Sequence, residues 1–470
     1  MYTSANVDSD SIKGYLNNTT FPEILTEEEQ GKCEGLLTHN ECKEAVDQLR
    51  PGKSPGCDGI PAEFYKVFWN CIRNLVVNSL NCCFAKGQMS PTQRRAIISL
   101  IYKKGDKLQL KNWSPISLLN TDYKIMSVVL ANRLKKVVSK IIHTDQTGYI
   151  KGRYIGTNVR LIDDVINLCI NENKSAAILF VDFEKAFDTV ELNFVVQTLQ
   201  KFNFGPSFIN WITVMYNNIE SSVLNLGWKS KFFRLSRGLR QGCPLYALLF
   251  VVVSEVLALN IRQDKTISGI VIDENDENKC EARISQYVDD TTLFCSTKES
   301  LDSMLKIINT FGYFAGPKIN EDKTQGLAFG HFVKHNSVKW TTENVKSLGV
   351  YFGHNMIECY KSIWQEKKDR LIRILNSWYR RKLTLYGKAI IIKCLGLSNL
   401  TFLMSCLPVP ENFTKEVNSI IFSFLWNKKP EKIKRKTLIR NYNMGGIKMC
   451  DFKSQCIALK CIIMVKTLYV

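Results

Sequence analysis

The sequence lacks the marks of a secreted, membrane-spanning or zinc-binding protein. The N-terminal residues MYTSANVDSD have no basic segment followed by an apolar core, so no secretory signal is predicted. The longest apolar run, residues 245–259, is interrupted by Ser254 and Glu255, so we predict neither a membrane span nor a membrane partner. The five histidines have no zinc-finger spacing relative to the cysteines, and no Cys-x-x-Cys occurs.

The 16 cysteines are scattered over the chain and form no disulfide framework. This pattern is typical of buried thiols in a reducing compartment. Cys450, Cys456 and Cys461 have no histidine close by, so we predict no metal site there. A hydrophobic fraction of 45% is that of a globular chain. The length is enough for roughly two to four domains.

The net charge of +19 is concentrated in one region. Residues 361–440 contain 18 Lys and Arg against 5 Asp and Glu, a surplus of 13. A basic region of this size favours a polyanionic partner, most often nucleic acid. A lysine-rich solvated face is the alternative.

A strand-like stretch, SQYVDDTTLFCS (285–296), carries two adjacent carboxylates, Asp289 and Asp290. Strands are depleted in aspartate, and buried carboxylates are costly unless they are paired or bind a cation. The pattern predicts a tight hairpin with the acidic pair as its two-residue tip. For an isolated Asp-Asp pair, a solvated turn is the alternative.

A third carboxylate, Asp182, ends a buried strand in AAILFVDFEKAFDTV (176–190). If that strand neighbours the hairpin in one antiparallel sheet, the three carboxylates converge. Three carboxylates without a paired lysine predict a site for Mg²⁺, with Mn²⁺ as a possible substitute. Two such ions about 4 Å apart would activate a 3′-hydroxyl and stabilise a leaving pyrophosphate.

Three segments in this order resemble motifs A, B and C of reverse transcriptases. They are FVDFEKAFD (180–188), RQGCPL (240–245) and YVDD (287–290). Further segments resemble non-LTR (LINE-type) retrotransposons in particular: KSPGCDGIPAEFYK, LIYKKGD, NWSPISLLNTDYKIMSVVLANRL, DQTGYIKGR, SLGV, FSFLWN and GGIKMCDF. The resemblance implies an RNA-directed DNA polymerase that transfers dNTPs to a primer 3′-hydroxyl by two-metal catalysis.

The resemblance also implies the fold, an α/β (α+β) right-hand polymerase. Its fingers and palm would contain the antiparallel sheet with the acidic site, and an all-helical basic thumb would follow. The expected domains are an N-terminal extension (1–44), fingers and palm (45–355), the thumb (356–440) and the start of a C-terminal linker region (441–470).

The family implies catalytic roles at matching positions. Asp182 and Asp289 would bind the metal ions, and Asp290 would complete the acidic pair. Lys323, in KINEDKT, would protonate the leaving pyrophosphate. A surface lysine without this role is the alternative.

A second set of matching positions would contact the nucleotide. The backbone of Phe183 would line the second metal ion. Phe187 would lie under the incoming sugar and exclude a 2′-hydroxyl, although an ordinary core phenylalanine is the alternative. Arg240, Gln241 and Gly242 would contact the nucleotide and template, and a simple helix N-terminus is the alternative.

A third set would contact template and primer. Lys53, Lys103 and Lys104 would lie on the fingers, and Leu348 and Gly349 would form the primer grip. The basic helices of the thumb would bind the duplex through its phosphates. For each lysine taken singly, a solvated face is the alternative.

Two positions depart from the family pattern. Ser114 stands where relatives usually have an arginine that contacts the nucleotide phosphates, and Tyr246-Ala247 replaces a usual Ser-Pro. Loss of one charge-assisted contact could cost roughly 1.5–3 kcal/mol. Ser114→Arg is therefore expected to raise polymerase activity, and equal KM and kcat for dNTPs in both forms would contradict this.

The segments flanking the motifs contain neither an endonuclease nor a Cys/His knuckle. We therefore expect integration to require a separate endonuclease. The expected partners are an RNA template, a DNA primer or target, and dNTPs. The expected location is intracellular, in a cytoplasmic ribonucleoprotein, the nucleus or both.

Three other classes compete with an active reverse transcriptase. A catalytically decayed relic that only binds RNA or duplex is favoured by Ser114 and disfavoured by the intact carboxylates. A viral RNA-dependent RNA polymerase is disfavoured by Phe187 and Val288, since those enzymes usually have smaller residues at both positions. A group II intron-type maturase is disfavoured by the LINE-like segments.

Overall fold

The chain forms two compact units in a computed structural model that describes residues 2–273 and 280–468. The first unit comprises Met1–Arg153 and Ser175–Lys339, and the second comprises Tyr154–Lys174 and Trp340–Val470. A stretch of about twenty residues inside the first unit's sequence therefore belongs to the second.

The helices in chain order are α1 (Ser9–Asn17), α2 (Glu27–Gly31), α3 (His39–Gln48), α4 (Ala62–Ala85), α5 (Pro91–Arg94), α6 (Thr121–Lys135), α7 (Val138–Ile141), α8 (Ile155–Asn171), α9 (Ala186–Thr189), α10 (Leu192–Lys201), α11 (Pro206–Tyr216), α12 (Tyr246–Gln263), α13 (Lys298–Ala315), α14 (Met356–Tyr379), α15 (Leu385–Ile391), α16 (Ser398–Cys406), α17 (Glu411–Leu425), α18 (Arg435–Ile439) and α19 (Phe452–Leu468).

The strands are β1 (Arg95–Tyr102), β2 (Trp113–Leu119), β3 (Ala176–Val181), β4 (Phe183–Glu184), β5 (Glu220–Asn225), β6 (Trp228–Lys229), β7 (Phe233–Arg234), β8 (Ile270–Val271), β9 (Glu281–Ala282), β10 (Ile284–Tyr287), β11 (Asp290–Cys295), β12 (Lys318–Ile319), β13 (Gln325–Phe329), β14 (Lys339–Trp340), β15 (Val345–Ser347) and β16 (Val350–Phe352).

The first unit contains two larger sheets besides the two-stranded pairs β4–β12 and β8–β9. One has the order β2-β1-β5-β6, with β7 also paired to β5. In the other, β11 and β13 flank β3, and β10 pairs with β11; all three pairings are antiparallel. This second sheet is called the acidic sheet below, because β3 and the β10–β11 hairpin lead to the predicted carboxylates.

Apolar sequence explains why β3 occupies the centre of the acidic sheet. All six of its residues, AAILFV, are buried, as expected for a strand covered on both faces. Helix α12 is also buried along nearly its whole length and packs against α9, α10, α13 and β10. The predicted buried strand is therefore confirmed.

Capping chemistry defines the start of two N-terminal helices. Thr26 and Thr38 each accept a backbone hydrogen bond from the glutamate three residues later, and that glutamate accepts one from the threonine N–H. These capping boxes satisfy donors that a helix start leaves unpaired. Glu41 also binds the buried Arg133 at 2.7 Å, which ties α3 to α6.

The second unit is mainly helical. Its α8 packs against α16 and β16. Arg160 donates to the Ser405 carbonyl at 2.9 Å, and Tyr360 donates to Asp163. These contacts explain why α8 groups with the C-terminal helices. The units thus divide the chain differently from the boundary expected at 355, and the names fingers, palm and thumb for particular ranges stay predictions.

Two helical stretches are long and apolar enough to cross a membrane by length and composition alone. They are Tyr246–Gln263 and Leu385–Cys406, with 78% and 50% of their apolar windows buried inside the protein. The first includes the run that Ser254 and Glu255 were expected to disqualify. Because core helices of soluble proteins pass the same test, these stretches are weak evidence for a span.

Candidate active site

The acidic turn connects β10 and β11. Tyr287 pairs with Asp290, so the two turn residues are Val288 and Asp289. The prediction of a tight hairpin is confirmed, but the prediction that Asp289 and Asp290 form its tip is wrong by one residue. Val288 has φ of +61°, a conformation that β-branched residues rarely adopt, and Asp290 begins the returning strand.

Asp182 follows β3 at the same edge of the acidic sheet. Strand β3 pairs with β11 so that Val181 lies opposite Thr291. Continued by one residue, this antiparallel register sets Asp182 opposite Asp290. The expected adjacency of the buried strand and the acidic hairpin is therefore observed, across 107 residues of intervening sequence.

The two hairpin carboxylates have raised pKa values. Burial and then the neighbouring Asp182 raise the pKa of Asp289, and Lys103 lowers it in part. Burial among surrounding atoms, with the charges of Asp289 and Asp182, raises the pKa of Asp290 to about 6, although part of this side chain reaches solvent. Like charges held this close favour protonation unless a cation neutralises them.

Asp182 has partners that the sequence analysis did not expect. Its Oδ2 accepts from Asn320 Nδ2 at 3.0 Å and from Lys323 Nζ at 3.3 Å. Its backbone N–H donates to Thr324 Oγ1, and its carbonyl accepts from Asn320 N–H. The expectation of carboxylates without a paired lysine is therefore wrong.

The donor chemistry of the site suits a hard divalent cation, because carboxylate oxygens are ligands that such cations prefer. Within residues 2–273 and 280–468, however, no three His, Cys, Asp or Glu side chains already converge as a closed ion-binding group. Asp182 Oδ2 binds Asn320 and Lys323 in this structure. The lysine pair is exposed at both ends, so it exchanges easily.

Two phenylalanines of the first motif lie beside Asp182. Phe183 is buried and pairs with Ile319 in the β4–β12 ribbon. Phe187, on α9, is partly exposed and its ring centroid lies 4.9 Å from Tyr246 and 4.7 Å from Phe250. Phe187 is thus wedged against the start of α12 on one side while part of its ring remains accessible.

The loop before α12 is held by the sheet of β1 and β5. Arg240 is only 4% exposed and donates to the backbone carbonyls of Arg94 and Glu220. In this structure the buried guanidinium supports the loop through these two carbonyls. The nucleotide contact expected of Arg240 stays a prediction.

Gln241 and Gly242 contact β2 through the backbone. The Gln241 carbonyl accepts from Ser117 N–H at 2.8 Å. Gly242 has φ of +106°, and a Cβ atom there would lie 2.5 Å from the Ser117 carbonyl oxygen. The close approach that requires glycine is therefore to a neighbouring strand, which makes Gly242 structurally necessary whether or not a ligand also approaches it.

The three predicted fingers lysines are exposed. Lys53 lies in the irregular loop before α4, far along the chain from the acidic sheet. Lys103 and Lys104 lie in the turn after β1, and the charge of Lys103 is felt by both Asp289 and Asp188. Of these lysines, Lys103 is therefore electrostatically coupled to the acidic turn.

Leu348 and Gly349 form the two-residue turn between β15 and β16, with φ of +50° and +79°. The expected tight turn is present. It belongs to the second unit, whereas the carboxylates belong to the first. Its assignment as a primer grip stays a prediction.

Two polar side chains of the site were missed. Asn320 binds Asp182, and Gln146 binds the backbone of Val288. Both stood inside quoted segments, KINEDKT and DQTGYIKGR, but a neutral amide gives no signal of its contact with residues about 140 positions away. Only the fold reveals these pairs.

An antiparallel sheet that brings an acidic strand end beside an acidic hairpin is the arrangement expected of the palm of a right-hand polymerase. Residues 101–352 match the family described as reverse transcriptase (RNA-dependent DNA polymerase). This match covers more than half of the chain, so the protein belongs to the reverse transcriptase family. The family implies a palm and fingers fold, with which the mixed helices and sheets agree.

Similar proteins come from retrotransposable elements. The chain is 31% identical over 412 residues to the Transposon TX1 149 kDa protein of Xenopus laevis. It is 23% identical over 293 residues to the Pol polyprotein of element R2 from Popillia japonica. It is 21% identical over 383 residues to the RNA-directed DNA polymerase of mobile element jockey from Drosophila funebris. The predicted LINE-type relationship is confirmed.

The matches cover most of this chain but less of the relatives. They include 86%, 62% and 76% of the chain, respectively. The chain spans only 31%, 39% and 40% of the length of these relatives.

Proposed function

We propose that the chain is an RNA-directed DNA polymerase that extends a primer 3′-hydroxyl with dNTPs on an RNA template. The observation that carries this proposal is the register that sets Asp182 opposite the acidic hairpin in a chain of the reverse transcriptase family. Clustered carboxylates with raised pKa values are typical of sites that bind divalent cations and phosphates.

Asp182 and Asp289 would hold Mg²⁺, with Asp290 and the backbone carbonyl of Phe183 beside them. When bound there, the metal would activate the primer hydroxyl and neutralise charge on the departing pyrophosphate. Lys103 would draw the triphosphate toward the site, because its charge already acts on Asp289. Ser114, on β2 opposite Ile101, would provide no positive charge for the phosphates, whereas relatives usually have an arginine at this position.

Lys323 has two parts in this proposal. In the free protein it neutralises Asp182, with which it forms an exposed ion pair at 3.3 Å. If Asp182 held a metal ion, the ammonium group would be freed from this pair near the reacting phosphates. A lysine freed at that point could donate a proton to the leaving pyrophosphate, which is general acid catalysis.

Phe187 would select the sugar. Its ring is fixed against Tyr246 and Phe250, so it cannot swing away from a nucleotide bound over α9. A bulky ring held in this way would clash with a 2′-hydroxyl and favour dNTPs. Replacing Phe187 by valine should therefore increase incorporation of ribonucleotides relative to deoxyribonucleotides.

Primer extension tests the proposed function. The full chain should extend a DNA primer on an RNA template with dNTPs and Mg²⁺, and Asp289→Ala should abolish the product. Asp302→Ala is the matched control, because Asp302 is an exposed aspartate of α13 that pairs with His335 and acts on Cys295, at the opposite end of β11 from Asp290. No extension by the wild type, together with salt-sensitive duplex binding, would contradict the proposal and indicate a nucleic-acid-binding relic.

A further inference from the structure

Gln146 binds the backbone of the acidic turn on both sides of Val288. Its side chain is only 1% exposed. Oε1 accepts from Val288 N–H at 2.8 Å, and Nε2 donates to the Val288 carbonyl at 3.2 Å. We propose that Gln146 is a positioning residue that fixes Asp289 for metal binding. This inference rests on the proposed polymerase function and assigns a role to a residue far from the carboxylates in sequence.

The turn needs support because of its conformation. Val288 has φ of +61°, which costs a β-branched residue steric strain, and it is buried as well. Strain of this kind persists only where surrounding contacts enforce it. The two hydrogen bonds from Gln146 satisfy a buried N–H and a buried carbonyl that the hairpin itself leaves unpaired at this point.

The segment that carries Gln146 packs directly onto the turn. Gln146 Oε1 also accepts from Gly148 N–H at 2.9 Å. A Cβ atom on Gly148 would lie 2.4 Å from Val288 Cγ2 and 2.7 Å from Val288 N. Such a close approach of two backbones is possible only with glycine at this position.

The same segment is attached to β10. Gln286 N–H donates to the Asp145 carbonyl at 2.9 Å, and Thr147 N–H donates to the Gln286 carbonyl at 3.0 Å. Together they form a short parallel bridge between Gln146 and Gln286. The bridge fixes the position of Gln146 along strand β10 of the hairpin.

Two arginines form hydrogen bonds to the segment that contains Gln146. Arg153 donates to the carbonyls of Ile142 and Gln146, among others. Arg262 of α12 binds Asp145 Oδ2 at 3.0 Å. Gln146 therefore presents its amide from a rigid base, which is what a positioning role requires.

Metal affinity is the property that a misplaced Asp289 would lose. Groups that orient metal ligands typically change metal affinity by about 10–100-fold when removed. Gln146→Leu, which has similar volume but no hydrogen bonds, should therefore raise the half-saturating Mg²⁺ concentration in primer extension about tenfold or more. Gln146→Glu keeps the acceptor for Val288 N–H and should have a smaller effect.

Two further measurements separate positioning from general damage. Tb³⁺ luminescence, sensitised by the nearby Tyr246, reports cation binding without turnover, and Gln146→Leu should weaken Tb³⁺ binding as Asp289→Ala does. Gln197→Leu is the matched control, because Gln197 is also a buried, hydrogen-bonded glutamine but binds Ser9. It should leave both the Mg²⁺ requirement and Tb³⁺ affinity at wild-type values.

A double-mutant cycle keeps the inference testable if Gln146→Leu folds poorly. Val288→Gly removes the steric strain, so the turn should depend less on Gln146. The increase in half-saturating Mg²⁺ caused by Gln146→Glu should then be smaller in the Val288→Gly background. Equal increases in both backgrounds would show that Gln146 does not act through the turn.

The outcomes distinguish this inference from the proposed function. If the wild type extends primers and Asp289→Ala does not, an unchanged Mg²⁺ requirement in Gln146→Leu overturns the inference alone. If the wild type extends nothing, the proposed function fails, and Tb³⁺ binding decides the inference by itself. Equal Tb³⁺ affinity in wild type and Gln146→Leu, or none in the wild type, overturns it.

Discussion

Two hairpins of this chain have turns of the same length but stabilise them in different ways. The β15–β16 hairpin turns at Leu348–Gly349, where glycine accepts a positive φ without steric cost. The β10–β11 hairpin turns at Val288–Asp289, where a β-branched residue has the positive φ. Leu348 in the first turn also has a positive φ, of +50°, but leucine is not β-branched and glycine follows it. The β-branched Val288 of the second turn is instead supported by hydrogen bonds with Gln146.

The difference shows where local sequence preference gives way to function. A glycine at the acidic turn would relieve the strain, but it would also let the backbone beside Asp289 move. The buried Val288, hydrogen-bonded to the Gln146 amide, keeps the Asp289 carboxylate in one position. Strain of this kind accumulates at functional sites, where surrounding structure compensates for it.

The largest difference between the two turns should appear in turnover. Asp289→Asn preserves the turn, because asparagine tolerates turn conformations, but it removes the charge. We expect it to lower kcat for RNA-templated dNTP incorporation roughly 10²–10³-fold, the usual scale for an electrostatic group at a reacting centre. Single-turnover primer extension measures this rate. A decrease of less than about fivefold would mean that the acidic turn has no catalytic role that distinguishes it from the Leu348–Gly349 turn.

A substitution in the Leu348–Gly349 turn should change the free energy of unfolding. Gly349→Ala forces a Cβ atom into a left-handed conformation, which costs about 1–2 kcal/mol. Gly387→Ala, in α15 of the same unit and without a positive φ, should be neutral or stabilising by up to about 1 kcal/mol. Denaturant unfolding of both variants tests the contrast. Equal effects would show that the positive φ at Gly349 carries no strain.

The two hairpin regions should depend on pH with opposite signs. The pKa of Asp290 is raised to about 6, so the folded state binds more protons than the unfolded state between about pH 4 and pH 6. Its contribution therefore lowers the free energy of unfolding as pH rises through this range. Added Mg²⁺ should reverse that loss above pH 6, because the cation binds the ionised carboxylates.

In the second region, the hydrogen bond from Lys346 lowers the pKa of Glu366. This contribution is present above the ordinary pKa of glutamate and is lost as pH falls below it. Thermal unfolding from pH 4 to pH 8 should show that Asp290→Asn removes the Mg²⁺ effect and that Glu366→Gln does not. A Mg²⁺ effect that persists in Asp290→Asn would contradict the assignment.

The smallest expected effects concern two exposed lysine pairs. Lys323 binds Asp182 at 3.3 Å, and Lys346 binds Glu366 at 2.7 Å, with all four side chains well exposed. Alanine at either lysine should change stability by about 0–1 kcal/mol. Only Lys323→Ala should also slow the protonation of the leaving pyrophosphate. This effect would be measured as a lower kcat with an altered pH profile. Equal kcat values in both variants would contradict a role for Lys323.

Much of the fold that positions the site could be predicted from the sequence. The uninterrupted apolar run of β3, the capping boxes at Thr26 and Thr38, and the hairpin around the acidic pair all followed from local patterns. These features depend on residues close together in the chain. Asp182 could be joined to the hairpin only through the family resemblance, and the sheet register then brought them together.

The remaining features depend on contacts between distant residues. The turn lies one residue earlier than predicted, because Gln146 stabilises a positive φ at Val288 that local preference disfavours. Gln146 is 142 positions away from Val288 in the sequence. Arg240 resembles a ligand-binding residue in sequence, yet carbonyls of Arg94 and Glu220 enclose it. Helix α8 joins the C-terminal unit through contacts to residues more than 190 positions away. Local sequence contains no signal for these pairings.

The most direct test of the central claim is a Mg²⁺ titration of single-nucleotide incorporation on an RNA template by the full chain. The account predicts no product with chelator, product that rises with added Mg²⁺, and none at any Mg²⁺ concentration in Asp182→Ala or Asp289→Ala. Incorporation that persists in chelator, or that survives either substitution unchanged, would contradict the claim that these carboxylates form the active site.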